Sequence, residues 1–166
     1  MNLMHYAKQP ITFDSSRTYE QREPNTTFRK PEGFWVSVAG EDDWPSWCRG
    51  EDCFLDSLTA AHRVTLKPSA AVVFLKSAFE LDAFTGAYAV QTDWERRWSW
   101  RVTDSRKWPI DWREVVKDCD GLIITPYQWD RRAELDWYYG WDCASGCIWN
   151  LDAIESVELI ASEVTA

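Results

Sequence analysis

The chain has 166 residues, and 18 Lys+Arg stand against 27 Asp+Glu for a formal net charge of -9. Hydrophobic residues make up 45% and charged residues 27%, which excludes a disordered or fibrous chain, and the length fits one domain over residues 1–166 whose core needs no staples. The acid excess disfavours nucleic acid, whose phosphates need a positive face, and favours a small ligand or a basic protein surface as partner.

In chain order, residues 3–7 read as the first strand, ended by Pro10. The polar stretch from Asp14 to Glu32 reads as a long loop with at most one helical turn. Gly33-Phe34-Trp35-Val36-Ser37-Val38 is an aromatic and β-branched run, hence a strand. Asp43 as cap and Pro45 in the first turn start a helix expected to reach Ala60, with Trp47, Phe54 and Leu58 on one stripe. Strands at 63–66 and 71–75 flank a turn at Pro68-Ser69, and Ser77 caps a helix that closes near Gly86. From Asp93 to Trp108 the pattern fits either a charged helix or an irregular insertion. Residues 110–117 form a short amphipathic helix, and Asp120-Gly121 turns into a strand at 122–125 stopped by Pro126. Three more strands are expected at 135–141, 147–149 and 157–160. Strands dominate and the helices do not alternate strictly with them, which gives an α+β fold: a central, mostly antiparallel mixed sheet with three or four short helices.

Several chemistries are missing from the sequence. It has no phosphate-binding G-x-x-x-x-G-K-[ST], no G-x-G-x-x-G and no H-E-x-x-H. His5 and His62 are the only imidazoles, and neither accompanies a nucleophile elbow, so hydrolase chemistry is disfavoured. Cys48, Cys53, Cys119, Cys143 and Cys147 are odd in number and spaced wider than C-x-x-C; they read as reduced thiols of a cytoplasmic protein, with no metal expected. The start shows no secretory leader, and no apolar run approaches the ~20 residues of a membrane span.

The 12 tryptophans are too many to bury completely, so some are expected to line a groove or a partner surface. Between 94 and 108, Arg96, Arg97, Arg101, Arg106 and Lys107 alternate with four tryptophans, a pattern able to stack single-stranded nucleic acid. Asp93, Glu95 and Asp104 dilute that charge, which favours a solvated ribbon with Arg stacked on its own Trp neighbours. The aromatics at 127–129 and 137–141 read as a pocket floor, a partner face, or a hairpin packed on the core.

Three stretches carry a resemblance. They are His5-Tyr6 in the opening strand, Lys30-Pro31-Glu32-Gly33-Phe34-Trp35-Val36-Ser37, and Ser145-Gly146-Cys147-Ile148-Trp149-Asn150-Leu151-Asp152-Ala153-Ile154. In that order they resemble the ADP-ribosyltransferase fold of poly-ADP-ribose polymerases and RNA 2′-phosphotransferases, a split-sheet architecture. The resemblance implies an NAD-binding cleft and transfer of ADP-ribose to a protein or nucleic-acid target. It assigns His5 to a ribose hydroxyl, Tyr6 to the carboxamide through its backbone, Trp35 to the nicotinamide wall and Ser37 to a polar contact, with Trp44 or Trp47 as the stacking ring. Where that family carries a catalytic Glu or Gln, this chain has Ser145, and the nearest acid is Asp142. Either Asp142 reaches in as the carboxylate, or the fold is kept for binding. The alternative is a non-catalytic, acidic, tryptophan-rich interaction module, in make-up like an accessory protein of a phage or bacterium.

Overall fold

The structure, a computed structural model, describes residues 1–25, 28–97 and 104–161. Seven strands, β1 (Leu3–Ala7), β2 (Phe34–Val38), β3 (Ala60–Leu66), β4 (Val72–Leu75), β5 (Gly121–Ile124), β6 (Ser145–Ile148) and β7 (Ile154–Ala161), form one sheet. Their order is β4-β5-β6-β2-β1-β3-β7. Only β4 and β5 run parallel; the other neighbours are antiparallel, so the mixed α+β sheet expected from the sequence is present. The helices are α1 (Trp44–Gly50), α2 (Ala78–Tyr88), α3 (Asp93–Arg97), α4 (Trp112–Asp118) and the single turn α5 (Trp129–Arg132). None of the described helices is long and apolar enough to cross a membrane.

Two elements differ from the sequence reading, each for a local reason. The helix expected to reach Ala60 stops at Gly50, because Asp52 and Phe54 take left-handed backbone angles (φ 50° and 54°), which no helix tolerates. A 3-10 turn over Leu55–Leu58 follows, and β3 begins at Ala60. The strand expected at 135–141 is a run of turns instead, with the amides of Tyr138 and Tyr139 both donating to the Leu135 carbonyl. Leu135, Trp137, Tyr138 and Trp141 are all buried, and a strand, which points alternate side chains to opposite faces, cannot bury adjacent Trp137 and Tyr138 on one side.

The core is densest where β5 and β6 meet. Leu122, Ile123, Ile124, Cys147 and Ile148 are wholly buried, as expected for strands covered on both faces. Gly146 makes this approach possible: a Cβ there would lie 2.5 Å from both the Leu122 carbonyl oxygen and Ile123 Cγ1. Beside these strands sits an aromatic block. Ring contacts run from Trp149 to Trp112 (6.4 Å between centroids), Trp137 (5.9 Å), Trp141 (6.2 Å) and finally Trp35 on β2 (4.9 Å). The Trp112 indole N–H donates to the Arg29 carbonyl and that of Trp137 to Thr85 Oγ1, both at 2.9 Å, and that of Trp149 donates to the Cys119 carbonyl.

Candidate functional site

The sheet register builds the site. Met4 on β1 and Ser145 on β6 both stand opposite Ser37 on β2, so the three side chains form one row across three strands. Alternation puts Trp35 on the same face as Ser37. Around this row opens a cavity of about 360 Å³. Its walls include His5, Tyr6, Lys30, Trp35, Trp44 and Asp142, and Val36, Ser57 and Cys143 complete its lining.

β1 and β2 pair only through Leu3–Val38 and Met4–Ser37. Beyond Met4 the His5 ring takes over: its Nδ1 donates to the Trp35 carbonyl at 2.8 Å, satisfying a group the ladder leaves open. The ring stacks on Phe34 at 4.3 Å and borders a second cavity of about 340 Å³ as well as the first. With Nδ1 committed, Nε2 is the ring's remaining acceptor, and no described protein group bonds it. Burial lowers the His5 pKa from its ordinary value; the Trp35 hydrogen bond raises it in part, and nearby His62 lowers it further. Burial raises the pKa of the Tyr6 phenol, Asp43 adds to that and Arg49 opposes it.

Trp44 is fixed as a wall. Asp43 caps α1 by accepting the Ser46 N–H, and Ser37 Oγ accepts the Trp44 N–H, both at 2.9 Å. The Trp44 indole donates to Ser57 Oγ at 3.1 Å. Trp47 stacks behind Trp44 (centroids 5.0 Å, 19° between planes) and is not part of the cavity lining. Of the two tryptophans considered for the stacking ring, it is Trp44 that faces the cavity. Ser37 supports α1 as an acceptor, which leaves its O–H proton to donate.

Asp142 sits at the rim between two cations, with Lys30 Nζ at 3.6 Å from one carboxylate oxygen and Arg132 Nη2 at 3.6 Å from the other. The Lys30 ammonium also lies 5.3 Å over the Trp35 ring. Lys30 and Arg132 thus bracket Asp142, while Asp43 and Asp42 act on the neighbouring Cys143 and Tyr127. Ser145 is buried and donates its hydroxyl to the Cys143 carbonyl at 2.9 Å. Burial pushes the Cys143 thiol up to about 12, which the Ser145 hydroxyl partly offsets and Asp142 reinforces, so this sulfur is no nucleophile near neutral pH.

Among the described residues no group of His, Cys, Asp and Glu is arranged to hold a metal ion, and all five cysteines are free. Buried His62 accepts the Ile11 N–H through Nε2 at 3.1 Å, and its Nδ1 lies 3.3 Å from the His5 carbonyl, so it ties the incoming loop to β1. In the Arg/Trp stretch, Arg96, Arg106 and Lys107 are paired with Asp93, Asp104 and Asp136. Residues 98–103, including Arg101, lie outside the described residues. Lys30 and Arg132 received no role from sequence: the tie of Lys30 to Asp142 is a long-range contact, and that of Arg132 forms only because the turns at 133–141 fold it back. No family model, no curated protein and no solved structure matches the chain.

Proposed function

We propose that the chain is an ADP-ribosyltransferase-like domain that binds NAD or a related nucleotide in the cavity beside His5. The observation that carries the reading is convergence: His5-Tyr6, Trp35 with Ser37, and Asp142 with Ser145, from three distant stretches, line one hollow. Its size is in the range of small-ligand sites, and Trp35, Trp44 and Tyr6 offer flat apolar walls. His5 Nε2 accepts a hydrogen bond from a ribose hydroxyl, and a planar ring rests against Trp35 and Trp44. Lys30 and Arg132 meet the phosphate charge.

For transfer, the bond between ribose C1′ and the nicotinamide nitrogen breaks, nicotinamide leaves, and a nucleophile of the acceptor takes C1′. Asp142 is the carboxylate available to stabilise the positive charge that develops on the ribose. Two cations hold it in the free protein, and anionic phosphates drawing Lys30 and Arg132 away would release it. Incubation with NAD, with nicotinamide release and the thermal midpoint followed together, tests this. A midpoint shift with release that Asp142→Asn abolishes supports the transferase. A shift without release leaves a nucleotide-binding domain. Neither shift nor release at millimolar NAD ends the reading and leaves the interaction module.

A further inference from the structure

A second stretch of the cavity's rim is acidic. Residues 41–58, which supply Trp44 and Ser57 to the lining, carry Glu41, Asp42, Asp43, Glu51, Asp52 and Asp56 against Arg49 alone. Asp43 is used as a cap, Asp42 accepts the Trp129 indole N–H, and Asp56 pairs with Lys8. Glu41, Glu51 and Asp52 form no ion pair among the described residues. The field they make is felt locally: the Cys53 thiol is pushed up by burial first and then by Glu51, Asp142 and Asp52.

The same stretch of chain carries a stack of three rings. Trp44 and Trp47 lie 5.0 Å apart, and Phe54 meets them at 5.9 and 6.3 Å. Phe54 is 59% exposed and its neighbour Leu55 46%, so a large apolar side chain is held out toward solvent on a left-handed backbone. An exposed aromatic ring flanked in the chain by Glu51, Asp52 and Asp56 suits a cation that is also flat, because a guanidinium gains both the ring's quadrupole and the carboxylate charge. The molecule already shows this pairing: Arg132 lies over Trp129 and Tyr139, and Arg17 over Tyr19.

We propose that the Trp44–Trp47–Phe54 stack, with the carboxylates beside it in the chain, docks an arginine-rich segment of a basic partner protein. Charge complementarity selects this occupant over a second copy, which would bring the same carboxylates and a net charge of -9 against them. The inference deepens the function proposed above by naming the class of acceptor, whose chain would lie against the cavity wall that Trp44 forms. Docking itself needs no nucleotide.

The test is fluorescence anisotropy of labelled hepta-arginine, hepta-lysine and a Gly/Ser peptide of equal length on the full chain. Hepta-arginine should bind about tenfold tighter than hepta-lysine, and the Gly/Ser peptide not at all. Phe54→Gly, which removes the ring and relieves the left-handed backbone, and the charge variant Glu51→Gln with Asp52→Asn should each weaken hepta-arginine about tenfold. Glu158→Gln on the far edge strand should leave it unchanged. Equal binding of both basic peptides, insensitive to Phe54→Gly, would mean general attraction to an acidic protein and overturn the proposal, as would no binding. Self-association abolished by Phe54→Gly would hand the surface to a second copy and overturn it too. The NAD-induced midpoint shift, read on the same preparation, reports on the cavity separately, so either idea can fail alone.

Discussion

The tryptophans of the core and those of the cavity wall are the same residue under two different sets of constraints. Trp112, Trp137 and Trp149 are buried, and each indole N–H has a protein acceptor. Trp35 and Trp44 keep part of their rings open to a cavity, where more polar or smaller residues would serve solubility better. Trp141 lies between the groups: fully buried, packed on Trp35, and with an indole N–H that has no partner among the described residues. The comparison teaches that aromatic richness in this chain has two origins, packing and an open wall, which stability and binding measurements can separate.

The largest expected effect is in the core. Trp137→Ala should cost about 3–5 kcal/mol of unfolding free energy in urea titrations, from lost burial and the cavity left behind. Trp44→Ala should cost about 1 kcal/mol or less, as a partly exposed site, yet remove the NAD-induced midpoint shift. Equal destabilisation by the two would erase the distinction. Next comes Gly146→Ala: the added Cβ meets backbone on β5, so about 1–3 kcal/mol should be lost. A finer comparison sets Trp137→Phe against Trp141→Phe. The first gives up a hydrogen bond to Thr85 and the second gives up none, so Trp137→Phe should be the more damaging by about 1 kcal/mol.

The smallest effect is a pH dependence. The folded-state pKa of His5 lies below its ordinary 6.5, so near and below that value the unfolded chain binds more protons. Its contribution to stability is therefore complete above 6.5 and declines as pH falls through that value toward the folded-state pKa. His5→Gln should flatten this slope in urea titrations at a series of pH values; an unchanged slope would show that His5 does not titrate with folding.

Much of the fold was legible because local pattern and tertiary position agree. The runs at 33–38 and 122–125 are β-branched or apolar and become strands, and Ser77 and Asp43 cap helices as their side chains suggest. The misreadings arose where tertiary packing set the backbone. Aromatic density at 135–141 resembles a strand, but contact between the adjacent rings of Trp137 and Tyr138 requires turns; a left-handed Phe54, with no glycine to announce it, ends a helix early. At the cavity, sequence supplied His5, Tyr6, Trp35, Ser37, Asp142 and Ser145, and the strand order brought them together. What each does depends on pairings that only the folded chain has: His5 with the Trp35 carbonyl, Ser37 with the Trp44 amide, Asp142 with Lys30 and Arg132.

The unbroken line of indoles from Trp149 through Trp112, Trp137 and Trp141 to Trp35 has an optical consequence. Rings this close exchange excitation before they emit, so light absorbed deep in the core is shared with the one indole of the line that borders the cavity. A quencher seated against Trp35 would draw emission from its neighbours along with its own, so the tryptophan fluorescence would report a ligand in the cavity without a dye.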